Sequence, residues 1–246
     1  MKLKVINTKQ AEKGSVEIPI HEEIRPDLIK RSFEALASKK RQPYGADPRA
    51  GLKHSADVSR RRRKYRGSYG KGISRVPRKV LSRSGLQFHW KGAQMPGTVG
   101  GRRAHPPKAS KKWTRKINKK ENRKAINSAI VASLDKATVT ARGHTVPKSY
   151  PFALDEDFEQ LTKTAQVISA LKELGFSEDL ARGEKGGKSV LIVTENERLA
   201  KAARNIPGVD AASATQLNTH LLAPGTHPGR AALFTKSSVE ALGGSQ

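Results

Sequence analysis

The sequence has no cysteine among its 246 residues. It therefore offers neither a disulfide framework nor a thiolate metal site, as expected of a chain from a reducing compartment. No run approaches the roughly 18–20 apolar residues of a membrane span, and the first residues lack a signal-peptide apolar region. The chain is expected to be soluble and intracellular, with no membrane partner. Aromatic residues are few, at 5%. Acidic residues are missing chiefly from one place. Lys39–Lys124 holds three of the 22 Asp and Glu but 28 of the 48 Lys and Arg, and so carries +25 of the net +26. The other 160 residues net only +1. A near-neutral protein thus contains an intensely basic insert, which favours nucleic acid over an anionic membrane surface as partner.

The centre of the insert, Gly45–Pro107, is not patterned like a domain. Ten glycines from Gly45 to Gly101, with Pro48, Pro77, Pro96, Pro106 and Pro107, interrupt any helix or strand. Apolar residues are sparse and keep neither a period of 2 nor one of 3.6. Such a stretch cannot bury enough surface to offset its ordering entropy, so alone it is expected to be disordered. A polyanion changes that balance. Arg60-Arg61-Arg62-Arg63-Lys64-Tyr65-Arg66 sets an aromatic among cations, and Arg75–Lys79, Arg102-Arg103 and Lys111–Lys116 repeat the theme. Guanidinium groups grip phosphate through paired hydrogen bonds. Tyr65, Tyr69, Phe88, Trp90 and Trp113 supply faces for unpaired bases, and glycine lets one backbone pass close to another. The composition fits a loop that folds by threading into structured RNA; a solvated basic linker is the blander alternative.

Around the insert the pattern is that of a globular α/β protein. Alternation at Lys2–Ile6 and Gly14–Ile20 predicts a hairpin. Pro26 opens a helix with an apolar stripe of Ile29, Phe33, Leu36 and Ala37, ending in Lys39-Lys40-Arg41. After the insert, Asn118–Glu121 reads as a capping-box variant before a helix lined by Ala125, Ile126, Ala129, Ile130, Leu134 and Ala137. Its first turns carry Lys119, Lys120, Arg123 and Lys124, where the helix dipole prefers acids and bound phosphate would relieve the conflict. Strand then alternates with helix. Strands are expected at Phe152–Leu154, Val190–Thr194, Val209–Ala212 and Ala231–Thr235. A helix capped by Asp155 and lined by Phe158, Leu161, Ala165, Ile168 and Leu171 should end at Gly175. Others should span about Asn196–Asn205 and Thr215–Leu222, and a capping box at Ser237–Glu240 should start the last. This alternation predicts an α/β fold with a mostly parallel sheet flanked by helices and a long extended basic loop inserted between two helices. The globular domain is assigned to residues 1–42 and 111–246, and the loop to 43–110.

No constellation reads as catalysis. Gly183–Ser189 ends in Gly-Lys-Ser, but the glycine spacing is one residue short and the stretch precedes a strand instead of following one, so it reads as a polar turn. The seven histidines share no helical ligand spacing. Asp155-Glu156-Asp157 sits at a helix start, where charge and capping explain it. No catalytic residue, metal site or cofactor is expected. Two classes stay open beside a structural RNA-binding role: a free RNA-chaperone module, and an RNA-modifying enzyme using the sheet for a nucleotide.

Several stretches together resemble one family. Gln42-Pro43-Tyr44-Gly45 with Ala50-Gly51 opens the insert, Arg75-Val76-Pro77-Arg78 lies near its middle, and Gly100–Pro107 closes it. Ala141-Arg142-Gly143-His144, Arg204–Val209, Ala223-Pro224-Gly225 and Pro228-Gly229-Arg230 follow. In this order they resemble the large ribosomal subunit protein four family in its archaeal and eukaryotic form. The resemblance implies a structural, non-enzymatic constituent of the large subunit, in the cytoplasmic ribosome, that binds large-subunit rRNA early in assembly. It implies a loop that reaches the narrow part of the polypeptide exit tunnel beside large-subunit protein twenty-two, with neighbouring ribosomal proteins and the nascent chain as further partners. The residues expected to contact rRNA are Arg41, Tyr44, Arg49, Lys53, Arg60, Arg61, Arg62, Arg63, Lys64, Tyr65, Arg66, Lys71, Arg75, Arg78, Lys79, Arg83, Trp90, Lys91, Arg102, Arg103, His105, Lys108, Lys111, Lys112, Trp113, Arg115, Lys116, Lys119, Lys120 and Arg123. Arg75, Val76, Pro77, Arg78 and Lys79 match the stretch that leads into the tunnel-lining tip, which then falls within Lys79–Gln94. The sequence departs from the family at Val80–Lys91, which is longer and bulkier than a glycine-rich tip, and at Gly183–Ser189, where relatives carry a longer basic insertion.

Overall fold

Short strands made almost wholly of apolar residues need cover on both faces, and the helices supply it. The computed structural model describes residues 1–8 and 10–244. β1 (Lys2–Ile6) pairs antiparallel with β2 (Glu12–Glu17), as the alternation predicts, with the second strand placed slightly earlier than expected. α1 (Pro26–Lys39) buries Ile29, Ser32, Ala35 and Ser38. That line lies one step aside from the predicted stripe, because Phe33 instead stacks on His220 with ring centroids 5.0 Å apart. β3 (Arg78–Ser84) and β4 (Gln87–Gly92) form a separate two-stranded sheet inside the basic insert. α2 (Lys119–Leu134) follows the insert. Glu121 accepts a hydrogen bond from the Asn118 backbone N–H at 3.4 Å, one half of the predicted capping box. Asp135 ends α2 and starts α3 (Lys136–Ala141), accepting from the backbone N–H groups of Ala137 and Thr138.

The rest alternates: β5 (Phe152–Leu154), α4 (Glu156–Glu159), α5 (Thr164–Glu173), α6 (Ser177–Glu184), β6 (Leu191–Val193), α7 (Glu197–Arg204), β7 (Asp210–Ala212), α8 (Thr219–Leu222), β8 (Ala232–Thr235) and α9 (Lys236–Gly244). Six strands make one sheet in the order β2-β1-β5-β8-β6-β7, parallel throughout except for the β1–β2 pair. Successive residues of a strand point to opposite faces. Ile192 and Leu233 therefore join a core with Phe158 of α4, Leu171 of α5, Leu180 of α6 and Leu199 of α7. Leu191, Val193 and Phe234 join a second core with Ile29 of α1, Ile130 of α2, Leu222 of α8 and Val239 of α9. This is the α/β architecture read from the sequence.

Several helices differ from expectation. The helix predicted from Asp155 breaks after Glu159 and restarts at Thr164, which turns Ala165 to solvent and buries Val167, Ala170 and Leu171. Asp155 makes no side-chain cap; its carboxylate is held by Lys13 at 2.6 Å. The expected helix at Thr215–Leu222 splits into a 3-10 turn at Ala214–Gln216 and α8. α9 starts at Lys236, so Ser237 lies in its first turn and donates to Glu159 instead of capping. α3 and α6 carry their own start signals, Asp135 and Ser177-Glu178-Asp179, which the longer helical readings passed over.

One buried arginine ties three neighbouring strands at their amino ends. Arg230, just before β8, is fully buried. Its guanidinium donates to the carbonyls of Ser189 (2.8 Å), Gly208 (3.1 Å) and Leu221 (3.0 Å), and it pairs with Asp210 of β7 at 2.6 Å. Lys188 reaches the same carboxylate at 2.9 Å. Burial acts to raise the Asp210 pKa, but the Arg230 charge and the Lys188 hydrogen bond outweigh it and hold the carboxyl below its ordinary range. A depressed carboxyl contributes stability above its unfolded pKa, near ~4, and loses it as pH falls through the lower folded value. Asp210→Asn should therefore lower stability at neutral pH by about 2–3 kcal/mol. That is less than for a wholly buried pair, since the Asp210 side chain keeps 28% of its exposure. The loss of stability below about pH 4 should also become shallower. Urea titrations of both forms across pH measure this; an unchanged acid limb would contradict it.

Candidate nucleic-acid interface

The described chain divides into two compact units, Met1–Lys40 with Thr114–Gln246, and Arg41–Trp113. Both cores just described belong wholly to the first. Of the 73 residues of Arg41–Trp113, only Ser68 and Ala93 are buried. This unit holds 20 Lys and Arg against two Asp, a net of +18. It also holds half of the chain's 12 aromatic residues, including both tryptophans. A stretch of this kind has shape without an interior.

Its shape comes from backbone laid against backbone. The Ala46 N–H donates to the Pro107 carbonyl at 2.9 Å, Arg78 N–H to Asp57 at 3.3 Å, and Ala93 N–H to Pro77 at 2.8 Å. A Cβ on Gly45 would stand 2.3 Å from the Ala109 nitrogen, and one on Gly51 only 2.4 Å from that of Arg102. Glycine at these two positions is thus a steric requirement. The Arg78–Ser84 and Gln87–Gly92 strands pair from Arg78–Gly92 to Ser84–Gln87, with Leu81 bulged out, and turn at Gly85-Leu86. This hairpin corrects the expectation that glycine and proline leave no strand in Gly45–Pro107. Its signal was the alternation of Phe88 and Trp90 beyond a Ser-Gly turn, too short to stand out in a longer window.

The predicted RNA-contacting residues of this unit are exposed or half-exposed. Arg60, Arg61, Arg62, Arg63 and Lys64 are all exposed, without an acidic partner among the described ion pairs. Lys53 pairs with Asp47 at 3.0 Å. Arg63 and Arg66 take φ of 55° and 62°, a left-handed backbone that costs of order 1 kcal/mol for such side chains. Many cations lie over rings. Arg41 sits 4.0 Å and Lys111 4.3 Å from the Trp113 centroid, and Tyr44 stacks on the same ring at 5.5 Å. Arg75 and Arg62 lie 5.1 Å and 5.8 Å from Tyr69, and Arg83 lies 5.9 Å from Tyr65. Arg49, Lys91, Arg102, Arg103, His105, Lys108 and Lys112 are exposed cations or rings along the same stretch, and Lys79 is half-exposed. Tyr69 and Phe88, read from the sequence as faces for unpaired bases, take part in this arrangement, and so does Asp47, for which the sequence held no signal.

Five predicted residues belong to the other unit. The Arg115 N–H donates to Ser38 at 2.9 Å and its guanidinium pairs with Glu34. Lys116 is exposed. Lys119, Lys120 and Arg123 project from the first turns of α2, exposed and unpaired among the described residues. The expected conflict with the helix dipole is real, and a bound anion there would be favoured twice over.

Other polar clusters are structural. His144 Nδ1 meets Asp179 at 2.8 Å and the Ser189 hydroxyl donates to the same carboxylate at 2.9 Å, so serine and histidine share an acid without touching each other. All three are buried. The polar turn read at Gly183–Ser189 starts later than expected: Gly183 and Glu184 end α6, and Lys185–Ser189 leads to β6. Among the described residues no group of three ligating side chains could hold a metal, and no helix is long and apolar enough to cross a membrane.

Comparison with known proteins finds the Ribosomal protein L4/L1 family matching residues 17–245. The chain is 43% identical to large ribosomal subunit protein uL4 of Nanoarchaeum equitans, covering 98% of this chain and 97% of that one. It is 40% identical to the uL4 protein of Archaeoglobus fulgidus, with 99% and 98% covered, and 41% identical to that of Methanospirillum hungatei over the whole of both chains.

Proposed function

The chain belongs to the ribosomal protein L4/L1 family, and from that premise we propose that it holds large-subunit rRNA together through its Arg41–Trp113 unit. It is a structural, non-enzymatic protein of the large ribosomal subunit in the cytoplasmic ribosome. The observation that carries the RNA reading is the net charge of +18 on 73 residues of which two are buried. Cations this dense, with no interior to fix them, take their places against phosphates where RNA helices crowd together. The left-handed backbones of Arg63 and Arg66 fit a segment moulded from outside. The segment 43–110 is the part that penetrates the RNA, and Lys119, Lys120 and Arg123, at the start of α2, are further rRNA contacts. The early place in assembly implied by the resemblance follows from such a role, since a loop threaded between RNA helices must enter before they close.

Neutralising Z phosphates gives a slope of log affinity on log salt near −0.9Z for duplex and ~−0.7Z for single strands. With roughly ten of the 28 cations engaged, rRNA binding should show a slope of about −7 to −9. Replacing Arg60–Gln94, which contains twelve cations, by a short Gly-Ser linker should weaken binding and flatten the slope. The remaining protein should still unfold in one cooperative transition. Loss of that transition would place the insert in the core and contradict the account.

The insert also reaches the narrow part of the exit tunnel, beside large-subunit protein twenty-two, with Arg75, Val76, Pro77, Arg78 and Lys79 leading to the tip. Other ribosomal proteins border the remaining surface. A photocrosslinker beside Arg78 in assembled ribosomes should capture a stalled nascent chain. Capture of solvent-side proteins alone would refute the tunnel position.

A further inference from the structure

The hairpin carries an aromatic stack that charge neutralisation alone does not require. Phe88 and Trp90, two apart on one strand, stack with centroids 5.1 Å apart and 22° between planes. Tyr65 meets Phe88 edge-on at 5.3 Å. The Lys71 ammonium lies 5.8 Å and 5.7 Å from the Phe88 and Trp90 centroids, and Arg78 lies 5.4 Å from Trp90. Lys71, Ile73, Leu86, Gln87 and both rings line an open groove of about 400 Å³. The other aromatic sites differ. Trp113 is faced by Tyr44, Arg41 and Lys111, and Tyr69 lies between Arg62 and Arg75. Phe88 and Trp90 thus keep half-exposed ring surface beside a groove that their own chain does not fill.

Charge selects the occupant. The only carboxylates of Arg41–Trp113 are Asp47, which pairs with Lys53, and Asp57, which accepts the Val58 N–H. Lys71 and Arg78 have no acidic partner among the described ion pairs. A ligand that brings a flat π-face together with negative charge on either side satisfies rings and cations at once; an apolar peptide satisfies only the rings. We propose that the Phe88–Trp90 face seats an unpaired nucleobase of RNA, with Lys71 and Arg78 neutralising the flanking phosphates and the Gln87 amide available to the base edge. The proposal rests on the RNA-binding reading above and narrows it: this hairpin reads single-stranded RNA, while the rest of the unit needs only phosphates.

The test uses the full-length protein carrying Trp113→Phe, which leaves Trp90 as the sole tryptophan. It is titrated with a short single-stranded oligoadenylate and with a blunt-ended RNA duplex. Trp90 emission should be quenched by the single strand and not by the duplex. Phe88→Ala should weaken single-strand binding at least about fivefold and leave duplex binding little changed, whereas Trp90→Phe should preserve single-strand affinity. If the single strand binds with steep salt dependence while Trp90 emission is unmoved and Phe88→Ala is silent, the nucleobase seat is overturned and the RNA reading stands. If neither RNA binds, both fall. Quenching by an apolar extended peptide but not by RNA would overturn the choice of ligand.

Discussion

Repulsion among 20 cations that the chain itself cannot neutralise sets the terms for everything in Arg41–Trp113. Two aspartates are its only internal anions, and neither forms an ion pair with the Arg60–Lys64 run among the described residues. Water and salt screen such charges beyond about 8 Å at physiological ionic strength, but neighbours along this stretch lie closer than that. Burial cannot help, because the unit has no interior in which to offset ordering entropy with apolar contact. On the proposed reading, dense external negative charge is what lets the segment settle. The glycine crossings at Gly45 and Gly51 and the left-handed arginines then make sense as features of a chain shaped to a surrounding mould.

The globular unit solves the same problem in the opposite way. Arg230 is as charged as any residue of the insert, yet it is buried with one carboxylate and four carbonyls around it. There an arginine serves the protein's own strands by joining the amino ends of β8, β6 and β7. In Arg41–Trp113 the arginines have no acidic partner among the described ion pairs; several meet a hydroxyl, a carbonyl or a ring, and their remaining donors suit phosphate. That division lets a self-sufficient body carry a segment that is completed elsewhere.

How much of this was legible in the sequence depended on range. Val190–Thr194 and Ala231–Thr235 announced themselves because strands buried on both faces are apolar at every position. Helix breaks were harder. The interruption between Glu159 and Thr164 moved the buried line from Ala165 to Val167 and Ala170, and no glycine or proline marked it. The charge imbalance that defines the candidate interface was plain from composition. The hairpin was not, since Phe88 and Trp90 offer only two steps of alternation. Nor was the seat on it: Tyr65 and Lys71 arrive from 23 and 17 residues before Phe88, and only the folded path brings them to its ring. Arg230 likewise read as part of a motif, with nothing local to say that it would be buried.

The central claim is that Arg41–Trp113 owes its ordered shape to RNA and not to itself. Amide hydrogen exchange on the purified protein, alone and after incorporation into large subunits, tests it directly. Without RNA, the account predicts near-intrinsic exchange across Arg41–Trp113 beside strong protection in β5, β6 and β8, and within the subunit it predicts protection across both. Strong protection of the segment in the RNA-free protein would contradict it.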